Sequence, residues 1–311
     1  MRTSKAILLL LMLTLAACGG STDAPAPAQD GIIWTSRVAG TTTKLNAVSY
    51  GNGLFVAVGS VPNNQSGTAT VFTSLDGTSW TGSSDTNFDL SGVAYGNGQW
   101  VAVGGSTIMT STSATNWTLQ TSPAGALGRV QFINNQFVAV GAYGTILTSP
   151  DGITWANTSP ANLNLLDPLS ELDAVTYGNG KFVAVGQYGL IVDSPDGGTW
   201  TARTSTVPGG IIGIAYGNGQ YVAVGAQGII AVSTDGYNWT QRTSTTTNDL
   251  IYVAFSSGLF VCVGAQGTIV TSPDGLTWTS RTSNSLSNLN GVAYGNGHII
   301  AVGDNGTILE N

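Results

Sequence analysis

From about residue 45 onward, the chain repeats one order of apolar and polar positions. Each repeat opens with a short alternating run, as in Val292-Ala293-Tyr294, and breaks at a turn that is Gly-Asn-Gly in five of the seven. It resumes with a nearly continuous apolar run such as Phe182-Val183-Ala184-Val185-Gly186. The alternation predicts a strand with one buried face, and Asn-Gly supplies the two positive φ values of a type I′ hairpin turn. The continuous run predicts a strand buried on both faces. This phrase occurs at 45–59, 90–104, 127–141, 172–186, 211–225, 251–264 and 289–303, its closing glycines 45, 37, 45, 39, 39 and 39 residues apart.

A third strand follows a Gly-x-x-Gly turn, as at 264–271, and leads into a second phrase. That phrase reads SLDGTSW at 74–80, SPDGITW at 149–155, SPDGGTW at 194–200, STDGYNW at 233–239 and SPDGLTW at 272–278, with STSATNW at 111–117 a degraded copy. The recurring Asp76, Asp151, Asp196, Asp235 and Asp274 can accept hydrogen bonds from their own turn's backbone, and the glycine admits a left-handed conformation. Trp80, Trp155, Trp200, Trp239 and Trp278 then open a fourth strand and pack between sheets, while Trp100 holds the aromatic core position of its repeat. Four strands in about forty residues is the mark of a propeller blade.

The chain ends settle the count. The last repeat stops after its third strand at Leu309, and residues 33–37 form a fourth strand with no first three. The expectation is an all-β, seven-bladed β-propeller whose N-terminal strand completes the last blade, removing the open sheet edges.

The N-terminus reads as an address. Arg2 and Lys5 precede an apolar run of ten residues, too short to span a bilayer, ending in Leu15-Ala16-Ala17-Cys18. Small residues before a cysteine resemble the bacterial lipobox. Residues 1–17 are therefore read as a signal peptide and Cys18 as the lipidated residue. Residues 18–30 form a flexible tether that reaches at most ~40 Å, and 31–311 form the propeller. Because no Asp follows Cys18, the resemblance implies the outer membrane.

Charged residues make up only 8% of the 311, and removal of 1–17 leaves a net charge of −9 with no basic run. That excludes nucleic acid, and leaves contact with a membrane to the lipid alone. Cys262, where sister repeats have Ala, reads as a small buried apolar residue.

The Ser-x-Asp-Gly-x-x-Trp units resemble Asp-box (BNR) repeats. The wider phrase at 186–200 is similar to the BNR-like propellers, of the WD40/YVTN/BNR-like superfamily, that include photosystem II assembly and stability factors. The resemblance covers about 31–311. It implies the propeller fold and little about function, since such folds host enzymes, lectins and scaffolds. The usual Asp-box has one more residue between Asp and Gly, so tighter turns are expected here.

A sialidase, the enzyme class this resemblance brings in, needs clustered arginines and a Tyr–Glu pair. Arg37, Arg203, Arg242 and Arg281 share one repeat position on outer strands. Arg129 alone falls on an inner strand, and Glu171 and Glu310 are the only glutamates. His298, the only histidine, is expected at an exposed turn, without partners for a triad or a metal. Each Asp-box aspartate stands alone, so no metal or cofactor is expected.

Strand order puts the Asn-Gly and Asp-box turns on one face, and the Gly-x-x-Gly turns and interblade loops on the other. The tether then leaves from the Asp-box face. Two insertions, 60–68 and 157–171, fall on the opposite face, where Tyr143, Tyr188, Asp167 and Glu171 are the candidate recognition patch. The functional expectation is a monomeric, non-enzymatic scaffold at the envelope that binds a protein partner. The alternatives are a polysaccharide-binding propeller and, less favoured, a sialidase-like hydrolase.

Overall fold

The computed structural model describes residues 32–60, 70–83, 88–160, 171–203, 205–207 and 209–311. It is a seven-bladed β-propeller with four antiparallel strands in every blade. Blade 4 is representative, with strands Leu172–Gly178, Lys181–Gly186, Ile191–Ser194 and Thr201–Arg203. The first strands of neighbouring blades touch and surround a central channel. The sixth phrase opens at Leu250 rather than at Ile251: Leu250 faces Gly264, as Leu172 faces Gly186, and Ile251 is the extra residue of a bulge.

Each expected turn forms as its residues dictate. Asn179 and Gly180 take φ of 46° and 77°, the two left-handed values that the Asn-Gly hairpin requires. In the Asp-box of blade 4, Ser194 Oγ accepts from the Gly197 N–H at 2.8 Å. Asp196 accepts from the N–H groups of Gly198 and Thr199 at 2.8 and 3.2 Å. The Trp200 indole donates to the Gly197 carbonyl at 3.0 Å. These backbone donors hold the Asp196 carboxyl below the usual carboxylate range. The degraded copy keeps the geometry: Ala114 takes the glycine's place at φ 61°, and its carbonyl accepts from the Trp117 indole.

The core lies between adjacent sheets. Val183, Val185 and Ile191 of blade 4 pack against Ile211, Ile214 and Tyr221 of blade 5, and the pattern repeats around the ring. Within a blade the aromatics form a radial row. In blade 4, Tyr177, Phe182 and Trp200 have successive ring centroids 4.7 and 6.0 Å apart. Trp100 takes the place of Phe182 in its own blade and is buried there, and Cys262, at the position of Ala184, is buried too, which pushes its thiol pKa up.

The ring closes as the sequence implies. Thr35–Val38 pairs with Thr307–Glu310, Thr35 facing Glu310. Glu310 is the clasp: Arg37 Nε donates to one of its oxygens at 3.1 Å, and His298 Nδ1 lies 2.6 Å from the other. His298 is thus not an exposed turn residue. It begins the second strand of blade 7, half-buried, because the antiparallel pairing of the second and third strands of that blade brings Glu310 to its side.

Candidate functional site: the two mouths of the central channel

The two faces are set by the turns. Asn97 donates to the Pro150 carbonyl at 2.8 Å, and Asn179 to the Thr234 carbonyl at 3.2 Å. Asn-Gly turns are therefore bonded to the Asp-box turns of the next blade, and both lie on one face. The Gly-x-x-Gly turns and interblade loops occupy the opposite face, called the loop face below.

A bulge in the first strand shapes the loop-face mouth. In blade 4, Leu172 faces Gly186 and Ala174 faces Val185, so Asp173 is the inserted residue. A bulge re-aims side chains where it occurs. The inserted residues Asn46, Gly128, Asp173, Ile212, Ile251 and Asn290, with Ser91 of blade 2, all line this mouth, a cavity of about 370 Å³. The polar ones are braced from outside: Asn46 donates to the Leu90 carbonyl at 2.8 Å, and Asn290 to the Leu45 carbonyl at 2.9 Å. Gln187 donates to Asp173 Oδ2 at 2.7 Å.

One position further along each strand the blades differ sharply. The register equates Ala47, Gly92, Arg129, Ala174, Gly213, Tyr252 and Gly291. Five are Gly or Ala, and two, Arg129 and Tyr252, carry large side chains. The Arg129 guanidinium carbon lies 4.8 Å from the centre of the Tyr252 ring, a cation–π stack. Arg129 lines the loop-face mouth and Tyr252 lines the other, so the pair divides the channel. Both terminal nitrogens of Arg129 reach across the axis to the Asn290 carbonyl at 3.4 Å, beyond the 2.7–3.2 Å range of good N–H···O bonds. Surrounding protein strips solvation from Arg129 and lowers its pKa, while water still reaches it through the mouth.

Lys44 and Glu171 stand exposed at the rim of this mouth. Burial, and secondarily the charge of Glu171, push the Asp173 pKa from an ordinary 3.8 up to about 7, against the opposing pull of Gln187 and Arg129. Two cations and two acids thus converge on one opening in a chain with 8% charged residues.

The opposite mouth, about 380 Å³, is aromatic and uncharged. Tyr50, Tyr95, Phe132, Tyr216, Phe255 and Tyr294 surround it, above Ser49, Gln131 and Thr176.

Of the sequence-predicted patch, Glu171 lines the loop-face mouth, and Asp167 lies outside the described residues, as do Cys18 and most of both insertions. Tyr143 and Tyr188 are 48% and 72% exposed on the Gly-x-x-Gly turns of blades 3 and 4, outside the lining of the mouth. Their left-handed φ values, 57° and 54°, recur at Gln227, Gln266 and Asn305, so this backbone belongs to the repeat and does not mark the tyrosines. Tyr188 is nonetheless tied to the mouth through its neighbour Gln187. Sequence reasoning missed Lys44, Asp173 and Tyr252, and noted Arg129 only for its inner strand.

Four of the five arginines among the described residues sit on fourth strands, as read from the sequence. Arg37 pairs with Glu310, Arg203 with Asp193, and Arg281 donates to Thr271. Among the described residues no three His, Cys, Asp or Glu side chains gather as metal ligands, and no helix is long and apolar enough to cross a membrane.

Residues 150–288, from the third Asp-box to the loop before blade 7, match the DUF6242 β-propeller domain. The chain is similar to that domain. No curated protein matches the sequence. Among solved structures, YCF48 from Cyanidioschyzon merolae superposes with a TM-score of 0.70 at 18% identity, covering 89% of this chain and 98% of that one. A structure of YCF48 bound to D1 peptide gives 0.72 at 17% identity, covering 92% and 98%. Virginiamycin B lyase from Staphylococcus aureus gives 0.73 at 13% identity, covering 89% and 98%. At such identities the likeness is one of fold, shared by a peptide-bound propeller and an enzyme.

Proposed function

We propose that the protein is a non-enzymatic binding scaffold that offers its loop face to a protein partner while a lipid on Cys18 holds it at the bacterial outer membrane. The convergence of Lys44, Arg129, Asp173 and Glu171 on the loop-face mouth carries this reading. Perturbed, gathered ionisable groups on a bland surface mark a functional site. A peptide bound to YCF48, a propeller of the same architecture, lends support. The closing strand enters from the Asp-box face, which supports a reading in which the lipid tether leaves from that side and the loop face looks away from the membrane.

The propeller carries just two lysines, Lys44 at the loop-face mouth and Lys181 beside an Asp-box turn of the other face. Amine-reactive cross-linking of the intact lipoprotein in its envelope therefore reports the face directly. We expect a reproducible protein partner joined through Lys44 and not through Lys181, with no turnover of a fluorogenic glycoside panel. Cross-links through Lys181 alone would refute the orientation. Retention of polysaccharide with no enriched protein would favour a second reading, a carbohydrate-binding propeller, which rests on the aromatic mouth of the Asn-Gly face.

A further inference from the structure

The loop-face mouth has a floor and a rim of different chemistry. Arg129 forms the floor, clamped flat on Tyr252. A guanidinium carries five donors in a fork that matches a carboxylate. Here its terminal nitrogens spend their contacts on one carbonyl at 3.4 Å, and no ion pair joins Arg129 to Asp173. Asp173 is instead held by Gln187 on the blade-4 side. The other arginine so close to an aromatic ring, Arg203 at 4.7 Å from Tyr237, is by contrast paired with Asp193, and Tyr237 donates to that same carboxylate. That cluster is satisfied within the protein. The one around Arg129 is directed into a cavity.

We propose that the loop-face mouth is a carboxylate-recognition site, in which a carboxylate presented by a protein partner enters end-on and is bound by Arg129, with Lys44 at the rim drawing it in. This rests on the scaffold reading above and names the chemistry recognised. The carboxylate of a chain terminus and that of an acidic side chain share it. Tyr252 orients the fork from below.

The test is saturation-transfer NMR on the full lipoprotein in detergent micelles with three short probes. Ac-Ala-Ala with a free carboxyl terminus stands for a chain end. Ac-Ala-Asp-Ala amide stands for a side chain, and Ac-Ala-Ala amide is the uncharged control. At least one carboxylate peptide is expected to bind about 10-fold or more tightly than the control, the yield of one well-made charged contact. Which of the two binds identifies the source. Arg129→Gln should bring that peptide to the control's level, and Arg129→Lys should restore part of the binding. If Arg129→Gln does not fold, the wild-type comparison and the exposed rim variant Lys44→Gln, expected to weaken only the carboxylate peptides, still decide. Equal binding of all three probes, binding unaffected by Arg129→Gln, or no preference for either carboxylate would overturn the proposal. A partner still cross-linked through Lys44 in that event would leave the scaffold reading standing.

Discussion

Replacing Asp173 by Asn should stabilise the protein at alkaline pH and do little at acidic pH. In the folded protein Asp173 holds its proton up to about pH 7, whereas in the unfolded chain it ionises near an ordinary 3.8. For an acid with a raised folded pKa, stability is fully present below the unfolded value and is lost as pH rises through the folded one. The loss accumulates between about pH 4 and 7 and is constant above. At about 1.4 kcal/mol per pH unit, the full shift sets a ceiling of about 4 kcal/mol. Water in the open mouth screens the charge, so about 1–2 kcal/mol is expected. Asn keeps the acceptor for Gln187 and removes the charge beside Glu171. Thermal unfolding of both proteins, followed by tryptophan fluorescence at several pH values from 4.5 to 9, reads the difference. For a domain of this size each kcal/mol corresponds to roughly 2–4 °C in Tm. The variant should melt about 2–8 °C higher at pH 9, with the gap closing toward pH 4.5. A gap independent of pH, or a less stable variant at pH 9, would refute the assignment of a desolvated carboxyl to this mouth.

Other substitutions test the frame. Ser194→Ala leaves the buried Gly197 N–H without its acceptor and should cost about 1–3 kcal/mol in urea unfolding. Gly178→Ala would put a methyl 2.1 Å from the Tyr216 ring of the next blade, and overpacking of this kind should cost about 1–3 kcal/mol. An unchanged midpoint would show the interblade seam to be loose. Glu310→Ala removes the acceptor shared by Arg37 and His298 and should cost about 2 kcal/mol, with faster hydrogen exchange in 35–38 than in blade 4. The Asp-box carboxylates Asp76, Asp151, Asp196, Asp235 and Asp274 all have depressed pKa values. Their contribution is present above the unfolded carboxylate range and is lost as pH falls below it, so urea midpoints should drop steeply under about pH 4.

The features that were legible in the sequence are those that repeat locally. An Asn-Gly hairpin or an Asp-box carries its whole cause within seven or so residues, and its several copies correct one another. The closing strand was legible because 33–37 is a fragment of the same repeat. The mouth was not, because its meaning lies in differences between copies. Arg129 and Tyr252 stand out only when the column Ala47, Gly92, Arg129, Ala174, Gly213, Tyr252, Gly291 is read across blades, and the bulge that fixes this column is a property of pairing. Arg129 meets the carbonyl of Asn290 across 161 residues of chain. His298 was misread for the same reason: its partner Glu310 sits beside it only in a paired sheet. Tyr143 and Tyr188 drew notice as exposed aromatics, whereas the charged groups that converge on the loop-face mouth are Lys44, Arg129, Asp173 and Glu171.

The clasp between Arg37 and Glu310 also bears on the order in which the fold assembles. During synthesis, residues 35–38 emerge before any blade exists, and their partner strand is made only after the other six blades. Hairpins inside each blade close over a few residues, while this pair must meet across 273. In a flexible chain that separation costs roughly 1.7 kcal/mol more than closing a blade-sized loop of about forty residues. Blades already stacked in a ring bring the two strands together and remove much of that cost. The final pairing is therefore conditional on all seven blades. A chain that loses one has ends that no longer meet and a fourth strand with nowhere to dock. Its exposed edge would then recruit a second molecule. Loss of one internal blade is for this reason expected to promote self-association through the unpaired strand, independently of any ligand.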